Sequence, residues 1–339
     1  MTTNSALSSQ FIESFIKSVN DFKETYSTES IIQFGDKCIK ISVCESEKVG
    51  RLINEAFITS KNGDAEFKLD IWHNKDKIKL SNSEFIDQFK TLDRIIPFEK
   101  TNPFRVCIDN SQGIIYVYDI AKNHGYIWLI DLAKLNLNSF VTPFRIMLSW
   151  MANSFEGEII HGSSILIKDK AILLNGPSGS GKSSLALYGH LKGFPMIADD
   201  VVLYVNKKIY GVYRYSKYDK ENAYFGSLKS DSQEQYDNGF GKMIYSLTTN
   251  EFDITKGYEC IALIYPIISQ MSHWERVDKD TAARLLIPNS LREILGGIPK
   301  NHIRLRRIIN ENINYRLALS EDYERNLQRL IEIREDSSV

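Results

Sequence analysis

Eight residues, Gly176-Pro177-Ser178-Gly179-Ser180-Gly181-Lys182-Ser183, constrain this chain more than any others, because they repeat the G-x-x-x-x-G-K-[ST] pattern. The apolar run Ala171 to Leu174 precedes them and reads as a buried strand. Ser183 to Leu191 reads as a helix ended by Gly193. A glycine-rich turn between strand and helix aims several backbone N–H groups at one point, beside the positive end of the helix dipole. Such a cradle takes phosphate, and the nucleotide-binding stretch is expected to run from Gly176 to Ser184. Lys182 would set a charge between the β and γ phosphates of ATP, and Ser183 would set a hydroxyl on Mg²⁺. A glycine-rich turn with a chance lysine would match the letters, but not the flanking strand and helix.

Seventeen residues after Lys182 come Asp199 and Asp200, at the end of the apolar run Phe194 to Ala198, which reads as the next strand. Carboxylates at that end of a strand lie where ligands bind in open α/β sheets. Asp199 would take a proton and Asp200 would hold Mg²⁺ with Ser183. A solvated turn would carry the same pair of letters; their place after a phosphate loop favours chemistry. Ile165 to Ile167 and Ala171 to Leu174 flank Lys168-Asp169-Lys170 as a tight hairpin. The loop strand should therefore have an antiparallel neighbour just before it. His161 stands at the start of this hairpin and is expected beside Asp199, although a lone histidine more often fills a core. Arg214 and Lys217, set among Tyr213, Tyr215 and Tyr218, would bind a phosphoryl group or a substrate anion. An ordinary surface edge with basic residues is the plain alternative.

The sequence His161-Gly162, then the loop, then Gly193-Phe194-Pro195-Met196-Ile197-Ala198-Asp199-Asp200, resembles the catalytic domain of HPr serine kinase/phosphorylase. The spacings from histidine to loop and from loop lysine to Asp-Asp are those of that family. Ile160-His161-Gly162-Ser163-Ser164 and Gly211 to Tyr218 are similar to stretches of bacterial HPr-kinase-like proteins, among them kinases that tailor lasso peptides. The resemblance spans residues 139 to 320. It implies the P-loop fold shared with ATP-dependent phosphoenolpyruvate carboxykinases, ATP and Mg²⁺ as cofactors, and catalytic roles for Asp199, His161 and Lys182. It aligns Lys217 with a lysine of the related stretch. The "EIRGxG" signature of HPr kinases is missing, which removes the main support for HPr as substrate.

The expected fold class is α/β, with a β-rich N-terminal domain over 1–138 and the P-loop domain over 139–339. Phe11 to Phe22 has helical spacing. Cys38 to Val43 and Phe67 to Trp72 alternate as strands, and Arg51 to Phe57 reads as a short helix. Arg105 to Ile108, Ile114 to Ile120 and Tyr126 to Ile130 read as a meander. No catalytic constellation stands out there, and His73 and His124 sit beside turns. A module for recognition or homo-oligomerisation is the plain reading of this domain. Thr142-Pro143 would start a helix carrying Phe144, Met147, Leu148, Trp150 and Met151. Glu221 to Gly241 reads as a loop. Cys260 to Ile268 reads as a central strand, Asp280 to Leu286 and Ser290 to Leu295 as short helices, and Ile303 to Ile309 and Ile313 to Leu319 as strands. A last helix follows Ser320.

With 42 basic against 43 acidic residues, net charge −1 gives no pull toward nucleic acid or a membrane surface. No apolar run reaches spanning length, and Cys38, Cys44, Cys107 and Cys260 lack metal or disulfide spacing. The expectation is a cytoplasmic kinase moving the γ-phosphoryl group of ATP to a hydroxyl, on a serine of a protein or peptide or on a small alcohol. The alternative is a non-catalytic nucleotide-binding switch.

Overall fold

The computed structural model describes residues 12, 16–17, 26–44, 46–60, 64–73, 94–95, 104–109, 111–134, 141–219, 221–222, 224–225, 242–247, 252–293 and 301–337. Two compact units emerge: residues 1–33 with 37–154, and residues 34–36 with 155–339. The expected helix over 11–22 and loop over 221–241 lie almost wholly outside the described residues.

The first unit contains β1 (Tyr26–Phe34), β2 (Lys37–Cys44), α1 (Glu47–Ala56), β3 (Phe67–His73), β4 (Arg94–Ile95), β5 (Phe104–Asp109), β6 (Ile114–Asp119), β7 (His124–Leu129) and α2 (Arg145–Ser154). Its strands form one sheet of order β1-β2-β3-β7-β6-β5-β4. β5, β6 and β7 are the expected antiparallel meander. β2 and β3, by contrast, pair in parallel, which requires a crossover, and α1 supplies it. Ser46 caps α1 by accepting from Val49 N. Inward side chains of alternating strand positions, Trp72, Val106, Ile108, Val117, Tyr126 and Trp128, make a core on one face. His124 is buried, its Nε2 2.9 Å from Asp70 Oδ2. The helix α2, grouped by sequence with the P-loop domain, falls in this unit; the division comes after Ser154 rather than after 138.

The second unit contains β8 (Glu158–His161), β9 (Ser163–Ile167), β10 (Lys170–Leu174), α3 (Lys182–Leu191), β11 (Met196–Ala198), β12 (Val201–Val205), β13 (Lys208–Gly211), β14 (Tyr215–Asp219), β15 (Lys242–Ser246), β16 (Tyr258–Ile268), β17 (His273–Arg276), α4 (Lys279–Glu293), α5 (Asn301–Glu311), β18 (Ile313–Leu319) and α6 (Tyr323–Asp336). Its main sheet runs β11-β9-β10-β16-β13-β12-β8, with β18 also on β16 and β17 on β18. β10 pairs β16 in parallel and β9 antiparallel, so the hairpin before the loop forms as expected. Both faces of the sheet are covered. Ile172 and Leu174 point into a core with Leu185, Leu187, Leu327 and Leu330 of α3 and α6. Ala171 and Leu173 point into the opposite core with Ala282, Leu286, Leu305 and Ile308 of α4 and α5. A strand buried on both faces has no polar positions to alternate, hence the unbroken run Ala171–Leu174. Phe34 joins this unit fully buried, its ring 5.7 Å from that of Phe155 and edge-on to it.

Two expectations fail here. Ile303 to Ile309 is not a strand but lies within α5, where Leu305, Ile308 and Ile309 are buried and Ile303 is exposed. The spacing of 305, 308 and 309 is the helical one; the apparent alternation covers only Ile303-Arg304-Leu305-Arg306. The two short helices expected at 280–286 and 290–295 are, over the described residues to Glu293, one helix, α4, which passes through Pro288. Asn289 Nδ2 donates to the Leu285 carbonyl where the proline interrupts the ladder. The fold is thus mixed α/β, with mixed sheets and six α-helices among the described residues. No described helix is long and apolar enough to cross a membrane.

Candidate active site

β10 ends at Leu174, and Asn175 anchors the turn beyond it. Its backbone N–H donates to the Ile264 carbonyl and its Nδ2 to the His161 carbonyl, 2.7 Å away. The chain then turns through 176–181, with positive φ at Gly179 and Gly181. Left-handed backbone costs a side-chain-bearing residue energy, and glycine removes that cost. Ser180 N donates to the Pro177 carbonyl, closing the turn. Gly181 caps α3 without a side-chain hydrogen bond, which leaves the first helical N–H groups directed to the loop. Ser178 and Gly179 are exposed, whereas Lys182 is buried and donates from Nζ to the Pro177 carbonyl at 2.8 Å. The ammonium lies folded back against the turn.

Ser163 opens β9 opposite Leu174, the last residue of β10. It is fully buried, and its Oγ lies 3.4 Å from Ser183 Oγ and donates to Asp199 Oδ1 at 2.6 Å. Asp199 follows β11, which pairs antiparallel with β9. Its second oxygen accepts from Ser216 Oγ at 2.9 Å and from Lys217 N at 3.0 Å. Asp199 is thus enclosed and held by three donors. Ser163 and Ser216 were not recognisable as site residues in the sequence. Both lie in stretches that carry the family resemblance, Ile160 to Ser164 and Gly211 to Tyr218, but nothing in the letters gives either serine a role.

Asp200 points elsewhere. Its oxygens lie 2.8 Å from Lys217 Nζ and 3.4 Å from His161 Nδ1, and all three side chains are mostly buried. The histidine contact lacks hydrogen-bond geometry. The expected partner of His161 was Asp199; the structure pairs it with Asp200. The cause is the backbone. Val201 N donates to the Asp199 carbonyl at 2.7 Å across Asp200, whose φ is +66°. That is a three-residue turn of the strained hand, which throws adjacent side chains to opposite directions. Gly162 N donates to the Asp200 carbonyl. A Cβ on Gly162 would meet the Leu174 carbonyl at 2.5 Å, so only glycine lets these segments close up.

Lys217 comes from β14, whose partner is β15. Arg214 lies just before that strand, partly exposed, and its carbonyl accepts from Leu247 N. Among the described residues, no three His, Cys, Asp or Glu side chains converge on a metal position. No protein-family model matches this chain, and neither does any curated protein.

Proposed function

We propose that the chain is an ATP-dependent phosphotransferase that moves the γ-phosphoryl group to a hydroxyl acceptor, on a serine of a protein or peptide or on a small alcohol. We read its second unit as an HPr-kinase-like, carboxykinase-related P-loop domain. One observation carries the proposal: the run of contacts Ser183–Ser163–Asp199 ties the phosphate loop to the acidic pair. A nucleotide switch needs the cradle and a carboxylate for Mg²⁺, but has no use for a second carboxylate placed to take an acceptor's proton.

Mg²⁺ suits the donors. Ser183, Ser163 and Asp199 offer only oxygen, and Mg²⁺ in nucleotide sites takes one or two protein oxygens with phosphates and water rather than a full protein cage. When bound, the ion neutralises charge on the phosphates. Lys182 would leave the Pro177 carbonyl for the β and γ phosphates. Asp200 is the better carboxylate to take the acceptor's proton, because it is less enclosed than Asp199 and stands beside His161 and Lys217. The acceptor oxygen forms a bond to the γ phosphorus, its proton passes to Asp200, and the bond to the bridging oxygen breaks to release ADP. Lys217 would stabilise the transferring group. This exchanges the two aspartates relative to the order-based expectation.

The test uses γ-labelled ATP with water standing in for the acceptor. Asp200→Asn should lower turnover on the order of 10²-fold while leaving ATP affinity within a few-fold. Asp199→Asn should instead raise the Mg²⁺ concentration needed for half-maximal turnover. The opposite pattern returns the base to Asp199. A wild-type protein that binds ATP but never cleaves or transfers phosphate favours the switch.

A further inference from the structure

Three large apolar side chains within one short stretch stand in water: Ile267 is 43% exposed, Ile268 68% and Met271 72%. A cluster of that kind marks a surface with an occupant. Its position says which. Leu174, the last residue of β10, pairs with Ile264 of β16, so Pro266, Ile267 and Ile268 run on past the end of β10, alongside the loop. A Cβ on Gly176 would sit 3.6 Å from the Pro266 carbonyl, and one on Gly181 3.5 Å from Ile268 Cδ1. The tip therefore borders the phosphate loop itself. It is also fixed: Ser269 N donates to the Leu319 carbonyl, and Met271 N donates to Ser269 Oγ.

The order of strands then orients a ligand. Ser163 opens β9 and Asp199 follows β11, both on one side of β10; the apolar tip ends β16, on the other side. A nucleoside triphosphate lying across the loop with its γ-phosphate toward the aspartates must carry its base toward β16. A nucleobase presents a flat face of low polarity, and Ile and Met side chains can cover such a face, Met adapting to its outline.

We propose that Ile268, which the strand's alternation puts on the α3 face beside Gly181, and Met271 seat the nucleobase of the ligand whose phosphates the loop takes. This rests on the nucleotide reading above, and its test separates the two. Calorimetry on the full chain with Mg²⁺ compares ATP with inorganic tripolyphosphate, which has the phosphates and no base. Wild type should bind ATP at least tenfold more tightly than tripolyphosphate, about what covering a few tens of Å² of apolar surface contributes. Ile268→Ser and Met271→Ser together should remove most of that margin and leave tripolyphosphate affinity unchanged. Both positions are exposed, so an unchanged tripolyphosphate affinity also reports an intact fold. Equal wild-type affinities for the two ligands, or unchanged ATP affinity in the double variant, would overturn the base seat and leave the phosphate site standing. Unchanged ATP affinity with a smaller sedimentation coefficient would assign the tip to a second copy of the chain. Wild type binding neither ligand overturns the nucleotide reading and the seat with it.

Discussion

At the scale of single residues, the site turns on where the chain reverses its side chains. The letters Asp199-Asp200 located an acidic pair at the loop, and they are there. They did not reveal which carboxylate meets His161, because that depends on one positive φ at Asp200, and aspartate is among the few residues that tolerate it. Ser163 and Ser216 were equally hidden, since serine is too common to signal a buried ligand of a carboxylate. A second buried acid, Glu158, makes a prediction. It is almost wholly buried on β8; Asn301 Nδ2 donates to one oxygen, and the other has no hydrogen-bond partner among the described residues. Burial pushes its carboxyl up to about 8, against a smaller opposing pull from Arg304. In the unfolded chain it titrates near 4.5. As pH rises from there to about 8, the unfolded state gives up a proton that the folded state keeps, so stability falls across that window. Glu158→Gln should flatten this decline, giving urea midpoints that fall less from pH 5 to pH 8. Parallel curves for the two proteins would show that Glu158 ionises freely in the fold.

At the scale of elements, β10 and α3 were legible because the loop motif binds letters to geometry: a buried strand must lead in and a helix must lead out. α5 reads as a strand because Ile303-Arg304-Leu305-Arg306 alternate within it, and only the burial of Leu305, Ile308 and Ile309 discloses the helical face. The parallel pairing of β2, β3 and β7 was not readable either, since alternation fixes faces but not neighbours. The loop's two left-handed glycines can be told apart by experiment. A Cβ at Gly181 would strike Leu319 Cδ1 at 2.6 Å, whereas one at Gly179 meets nothing within 4 Å among the described residues. Gly179→Ala should cost only the backbone penalty, about 1–2 kcal/mol. Gly181→Ala adds displacement of Leu319 and should lower the urea midpoint further. Equal losses would mean that Leu319 moves aside freely.

At the scale of the whole molecule, every residue of the candidate site lies in the second unit, but that unit is not one continuous stretch. Phe34 is fully buried within it, and Gly35, at φ +68°, would place a Cβ 3.2 Å from Leu203. Nothing in the sequence marked residues 34–36, which look like any turn between two strands. Phe34→Ala in the full chain should remove buried contacts worth about 3–5 kcal/mol. It should speed amide hydrogen exchange in β10 and β16, and unchanged exchange there would show that Phe34 is dispensable. The same arrangement sets an order of assembly during synthesis. Residues 34–36 leave the ribosome long before Phe155 exists to receive them, and the strands that carry the loop come later still. The site-bearing unit is therefore completed only when two segments well over a hundred positions apart have both been made. A truncated chain that starts at the apparent domain boundary would lack residues 34–36, which belong to the unit it was cut to contain.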